Sequence, residues 1–345
     1  MTENGAVIRA FLVENAVPEG PQLASVLRHD GDIAIVGRAA TATVAIRQVA
    51  DARPDVVVLD LHVDDDNGHH VIEQIMANTP TPILVLVRGT DHRHSPDVVA
   101  ALVAGALDVL PASAPWTPES GAELRRVVRQ IGRVRVIRHP QRKPLPVADS
   151  GRAPHANRQP VVAIAASAGG PGALATLLPD LDGLPAPVLV VQHLHPEFTG
   201  RLVEWMSRIS ALPVETAAHG QLARPGHVYF SPGGLHLRLG ADRRLELTEQ
   251  PPSTHRPSAD ELLFSVAANA GPVGVGVLLT GMGEDGARGL LAIRRRGGRT
   301  IAQDEASSAV FGMPQAAQRL GAVIELLSLD LVAAAVQRAV RKVAP

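Results

Sequence analysis

Short apolar, β-branched runs alternate with helix-like stretches along most of this chain. Between residue 7 and about residue 113 the runs Val7–Val13, Ile33–Gly37, Val56–Leu59, Ile83–Val87 and Asp108–Leu110 predict strands. Helix-like segments at Gly20–His29, Thr41–Ala50, Gly68–Asn78 and Asp97–Ala104 fall between them. This βα rhythm predicts a doubly wound α/β domain on a parallel sheet. Leu124, Val127, Val128, Ile131 and Val134 recur at helical spacing and predict a further helix from about Glu119 to Arg138.

From His139 to Pro160 the chain is rich in Pro, Arg and Lys and has no apolar period, the signature of a linker. The βα rhythm then resumes. Strands are expected at Val161–Ala166, Val188–His193, His227–Phe230, Val273–Thr280 and Thr300–Ala302. The pair His236–Leu239 and Arg244–Leu247 flanks a Gly-Ala-Asp turn and predicts a hairpin, and Leu329–Val343 reads as a closing amphipathic helix. The fold class is therefore α/β, with two doubly wound parallel-sheet domains. The expected boundaries are 1–116 for the first domain, 117–160 for its last helix and a basic linker, and 161–345 for the second.

Composition narrows this picture. With 345 residues and 46% hydrophobic side chains the chain can build two cores, and with only 2% aromatics those cores rest on Val, Leu, Ile and Ala. The aromatic scarcity argues against a stacking platform for single-stranded nucleic acid. A net charge of −1 gives no general attraction to nucleic acid or anionic lipid. No cysteine is present, which excludes disulfides, thiolate metal sites and a thiol nucleophile. The start lacks a secretory pattern and no apolar run approaches the roughly 18 residues of a membrane span, so a cytoplasmic protein without membrane insertion is expected. From Arg125 to Lys143 there are eight Arg or Lys and no acid. That run reads as the solvated face of a helix entering a linker, or as a surface for an acidic partner.

Three residues of the second domain carry candidate chemistry: Ser167, His193 and Asp285, each just past an apolar run. In an open parallel sheet the carboxyl ends of neighbouring strands share one crevice. There a serine, a histidine and an aspartate make a nucleophile, its base and the group that orients the base. Each residue alone has a blander reading. Ser167, followed by Ala-Gly-Gly-Pro-Gly, also suits a helix cap or a phosphate-cradling turn. His193 suits a structural strand end, and with His195 a metal site. Asp285 suits a cap for the helix expected at Ala287–Arg295. Gly281 and Gly283 allow a tight turn whose N–H groups point into the crevice and serve an oxyanion.

Residues 161 to about 330 resemble the catalytic domain of the chemotaxis protein-glutamate methylesterases, the CheB family. The resemblance rests on Ser-Ala-Gly-Gly at 167–170, on Gln192-His193 with Phe198-Thr199, and on His255-Arg256-Pro257-Ser258 with Asp260. It continues through Leu279-Thr280-Gly281-Met282-Gly283, Asp285-Gly286, Ala302-Gln303-Asp304-Glu305 and Phe311-Gly312-Met313-Pro314. It implies that Ser167 is the nucleophile, His193 the base and Asp285 the orienting acid, with the Met282 and Ala168 N–H groups on the oxyanion and Arg256 in substrate binding. Two positions depart from the family pattern: Ala168 stands where Thr is common, and His195 where Pro is common.

Residues 7–113 resemble a response-regulator receiver with parts missing. Asp60 falls on the phospho-acceptor position, followed by Asn67-Gly68, but the Mg²⁺-holding acidic pair reads Glu14-Asn15. Val87 replaces the switch hydroxyl and Ala112 the phosphate-pairing lysine, while Asp64-Asp65-Asp66 adds negative charge nearby. Without those groups Asp60 is expected not to work as a phosphorylation switch, and Mg²⁺ binding is not expected.

The resemblance implies hydrolysis of glutamate γ-methyl esters on methyl-accepting chemoreceptor helices, with glutamine deamidation as a companion activity and no metal or organic cofactor. A sensor histidine kinase is a further implied partner. The competing reading is a catalytically weak or retargeted docking module that binds receptor helices without turnover.

Overall fold

The computed structural model describes residues 7–14, 20–63, 66–89, 95–112, 115–134, 136 and 159–343. The backbone groups into two compact units that divide between Arg138 and His139. Asn15, Asp64, Asp65 and residues 139–158 of the expected linker lie outside the described residues.

In the first unit, strands β1 (Ile8–Val13), β2 (Ile33–Ala39), β3 (Val56–Asp60), β4 (Ile83–Arg88) and β5 (Asp108–Ala112) form one parallel sheet in the order β2-β1-β3-β4-β5. Helices α1 (Gly20–Arg28), α2 (Ala42–Ala52), α3 (Gly68–Asn78) and α4 (Asp97–Ala104) connect the strands, and α5 (Pro118–Ile131) closes the unit. Every residue of β3 is buried, as expected of a central parallel strand covered on both faces. Each fully buried Val or Leu there contributes roughly 1.5–3 kcal/mol.

The helix expected to run to Arg138 stops at Ile131. Its C-cap is Gly132, where a Cβ would stand 2.8 Å from Ile8 Cγ2, so the close approach to β1 excludes a side chain and Val134 lies beyond the helix. A capping box between Thr117 and Ser120, with Pro118 in the first turn, sets the other end. Along α5, Arg125 bonds Asp30 (2.8 Å) and Arg129 bonds Asp32 (2.6 Å) and also Asp30. These two arginines of the basic run thus face acids of their own unit.

The second unit is built on a seven-stranded parallel sheet. Its strands are β6 (Val161–Ala166), β7 (Val188–Gln192), β8 (Val214–Thr216), β9 (Val228–Phe230), β12 (Gly274–Leu278), β13 (Arg299–Gln303) and β14 (Glu325–Leu327). The order is β8-β9-β7-β6-β12-β13-β14. The hairpin β10 (His236–Leu239) and β11 (Leu245–Thr248) pairs antiparallel apart from this sheet. From β6 the chain fills one side of the sheet, then returns to β12 and fills the other. The crevice between β6 and its two neighbours is therefore the topological switch point, where ligands bind in open α/β sheets. Helices α6 (Gly170–Leu177), α7 (Pro196–Ile209), α8 (Ala259–Asn269), α9 (Ala287–Arg295), α10 (Met313–Arg319) and α11 (Leu329–Val343) complete the unit. No helix of the described residues is long and apolar enough to cross a membrane.

Candidate active site

Ser167, His193 and Asp285 all leave the carboxyl ends of the three strands around the switch point. Ser167 follows β6, His193 follows β7, and the loop after β12 carries Met282 and Asp285. The β6–β7 register ends at Ala166↔Gln192, so Ser167 and His193 are the next residues of adjacent strands. His193, expected inside a strand, stands one residue past it, its N–H held by the Ala166 carbonyl at 2.9 Å.

The nucleophile candidate is braced on both sides. Ser167 N–H donates to the Thr280 carbonyl (3.0 Å), and Gln192 Nε2 donates to the carbonyls of Ser167 and His193 (2.8 Å each). Gly169 takes φ +75°, the left-handed turn that launches α6. Gly281 serves a different purpose from the turn expected of it. A Cβ there would meet Met313 Sδ at 2.3 Å and Ser167 Cβ at 2.8 Å, so glycine lets the β12 loop lie against the serine. The carbonyl of Gly281 accepts the N–H groups of Gly312 (3.0 Å) and Met313 (2.8 Å), which explains the Phe-Gly-Met-Pro segment. Among the described residues neither the Ala168 nor the Met282 N–H donates to a protein acceptor, leaving both available to an oxyanion.

Asp285 caps a helix, though not the expected one. The N-cap of α9 is Gly286, while the Asp285 carboxylate sits at the N-terminus of α8. It accepts from Ala259 N–H (2.7 Å), Asp260 N–H (2.9 Å) and Ser258 Oγ–H (3.0 Å). Asp260 returns the arrangement: it accepts the Gly289 N–H of α9 at 2.7 Å and pairs with Arg288 at 2.9 Å. Burial opposes the Asp285 charge, but the His193 contact and these N–H groups outweigh it and hold its carboxyl well below the usual carboxylate range. Burial pushes the Asp260 carboxyl upward, the Gly289 N–H opposing it.

A depressed folded-state pKa adds stability that is complete above the unfolded value near 4 and lost as pH falls toward the folded one. Asp285→Asn should therefore lower the thermal stability of the full-length protein at pH 7 by about 2 kcal/mol. The gap should shrink progressively below about pH 4. Melting curves of both proteins across that range check it; a gap independent of pH would contradict the charge assignment.

His193 Nε2 lies 2.9 Å from Asp285 Oδ2. An ionised carboxylate only accepts, so Nε2 carries a proton, and in the neutral ring Nδ1 keeps its lone pair. That Nδ1 is buried and has no hydrogen-bond partner. The ring is thus turned the opposite way from the serine-protease arrangement, in which Nδ1 faces the acid. Among the described residues no hydrogen bond links Ser167 Oγ to the ring; such bonds tighten only when substrate arrives.

His195 is elsewhere. It is the N-cap of α7, and its Nδ1 accepts the Glu197 N–H at 3.4 Å. Among the described residues no group of three or more His, Asp or Glu is arranged to hold a metal. Arg256 is exposed and lies 3.7 Å from Glu249. Ser258, Gln192 and the start of α8 escaped functional assignment in sequence, although all three fall in or beside the quoted motifs. Their roles run through backbone atoms and long-range packing, which local pattern does not reveal.

In the first unit Asp60 ends β3 and is buried, and Arg88 Nε, at the end of β4, bonds its Oδ2 at 2.7 Å. Glu14 is buried, 3.8 Å from Arg38, and burial pushes its carboxyl upward. Mg²⁺ requires near-octahedral oxygen ligation. Here a guanidinium already holds one carboxylate, a second arginine faces the other, and Val87 and Ala112 offer no polar side chain. Among the described residues, the two carboxylates that face these arginines do not fit Mg²⁺. Arg88 is the cation that sequence reading missed, one residue beyond Val87.

Residues 11–114 match the response regulator receiver domain. A protein-glutamate methylesterase/protein-glutamine glutaminase 2 of Anaeromyxobacter dehalogenans (strain 2CP-C) is 41% identical over 338 residues, 97% of each chain. The protein-glutamate methylesterase FrzG of Myxococcus xanthus is 44% identical over 287 residues, 83% of this chain and 84% of its own. The crystal structure of the Thermotoga maritima CheB methylesterase catalytic domain covers 52% of this chain and 98% of its own, at 34% identity and a TM-score of 0.51. Residues 162–336, which hold all three candidate residues, match the CheB methylesterase domain, and the chain belongs to that family.

Proposed function

We propose that this protein hydrolyses glutamate γ-methyl esters on the signalling helices of methyl-accepting chemoreceptors, and deamidates selected glutamines there, with Ser167 as nucleophile. The observation that carries this reading is the His193 ring: Nε2 is tied to an ionised Asp285, and a buried, unpartnered Nδ1 is left to act as base. A module that only binds receptor helices has no use for an imidazole so aligned.

Ser167 Oγ attacks the ester carbonyl as His193 Nδ1 takes its proton. The oxyanion is met by the N–H groups of Ala168 and Met282. Collapse breaks the bond to methoxide, which leaves as methanol with the proton from His193. Water, deprotonated by the same nitrogen, then releases the glutamate carboxylate and regenerates Ser167. In deamidation the leaving group is ammonia. Asp285 stays ionised and stabilises the imidazolium that forms in each step. Methanol release from methylated receptor cytoplasmic fragments, with Ser167→Ala as control, tests the reading.

The first unit serves in this reading as a gate or docking module without conventional phosphorylation. Acetyl phosphate with Mg²⁺ should change methanol release by no more than about twofold, because a ligand shifts an equilibrium only through differential contacts. Phosphate on Asp60 accompanied by a several-fold rise in turnover would contradict this.

A further inference from the structure

We infer that residues 251–258 form a strap that positions the catalytic imidazole, with His255 holding the face of His193 and the buried His236 clamping the strap at both ends. The inference rests on His193 being the base, as proposed above.

His236 in β10 is wholly buried. Its Nδ1 accepts the Ser258 N–H at 3.0 Å, and its Nε2 lies 3.0 Å from the Pro251 carbonyl. A ring nitrogen that accepts an N–H is unprotonated, so the neutral ring carries its proton on Nε2 and donates it to Pro251. A single imidazole therefore fastens the chain at 251 and again at 258. Residues 251–254 and Arg256 between these points are exposed. Pro257 is buried, and His255 is half-buried. Its ring stacks on His193 with centroids 4.4 Å apart and an interplanar angle of 10°.

At the clamped end, Ser258 Oγ donates to Asp285, and the next two N–H groups complete that carboxylate's ligation. The strap thus reaches the catalytic pair twice, through the acid and through the ring. Asp285 holds His193 by one edge only, which leaves the ring free to tilt about that bond. A parallel ring on its face removes the freedom and keeps Nδ1 in line for Ser167 Oγ. Reaction rates are steep in such alignment: a misplacement of about 1 Å can cost about a hundredfold. The contact supplies an aromatic face, so a phenyl ring should serve in place of the imidazole. This assigns His255 as a positioning residue and gives the His-Arg-Pro-Ser segment its purpose.

The test uses full-length protein carrying His255→Ala or His255→Phe. Because the side chain is only half-buried and its neighbours Thr254 and Arg256 are exposed, both variants should melt with the wild type. His255→Ala should lower kcat for methanol release by about tenfold with KM within about twofold, and His255→Phe should recover most of the loss. A raised KM with intact kcat would make His255 a substrate contact and overturn the proposal. So would a Phe variant as impaired as Ala, or an Ala variant as active as wild type. If the wild type itself releases no methanol, the functional reading fails, and the strap is judged on ¹⁵N-histidine spectra alone. The His193 Nε2 proton should be sharp in wild type and His255→Phe and broadened in His255→Ala; one identical signal in all three overturns the strap.

Discussion

Ser167→Ala should lower methanol release by about 10⁴-fold or more, while the melting temperature stays that of the wild type. The substitution removes one hydroxyl that makes no hydrogen bond with the protein among the described residues, so little stability depends on it. The backbone of residue 167 keeps its bonds to Thr280, Gly170 and Gln192. Residual activity above water is expected, because the N–H groups of Ala168 and Met282 and the substrate-binding surface survive. Parallel progress curves and melts decide the matter. A folded alanine variant that still turns over near the wild-type rate would remove Ser167 from the mechanism.

His193→Ala is expected to be as inactive as Ser167→Ala, and combining the two should add little, since residues acting as one unit are not additive. His195→Ala should keep substantial activity, although the two histidines are only two residues apart. The reason is positional. His193 Nε2 meets Asp285, whereas His195 has already turned into the cap of α7, with Glu197 N–H on its ring. Losing a cap costs about 1 kcal/mol of stability and no chemistry. Initial rates of the two single variants separate these roles. Activity lost in the His195 variant and kept in the His193 variant would reverse the assignment.

Much of this site was legible along the chain. Unbroken apolar runs located the strands, and the small residues after them marked where backbone and ligand must come close. Ser167, His193 and Asp285 are all strand-end residues, and in a parallel sheet such residues gather at one edge whatever the loops between them do. Strand order, however, is a long-range property: only the sheet itself makes β7 and β12 the two neighbours of β6. Which helix Asp285 caps is a long-range property for a related reason. Proximity in sequence favoured capping the helix that follows, but packing of α8 against α9 presents the carboxylate to α8 instead. Helix α5 ends at Ile131, and Gly132 just past it lies against β1, a contact between segments more than a hundred residues apart. Nothing local marks Arg88, which only the register of β3 and β4 sets beside Asp60.

The sequence by itself determined which residue types are available at the strand ends and hence the class of chemistry. Local periodicity and turn composition are short-range signals, and they suffice for that. Tertiary structure alone decided which nitrogen of His193 carries the proton, which helix steadies Asp285, and which cation meets Asp60. Each of these depends on directions between groups far apart in the chain, and hydrogen bonds and ring contacts are fixed by direction as well as by distance.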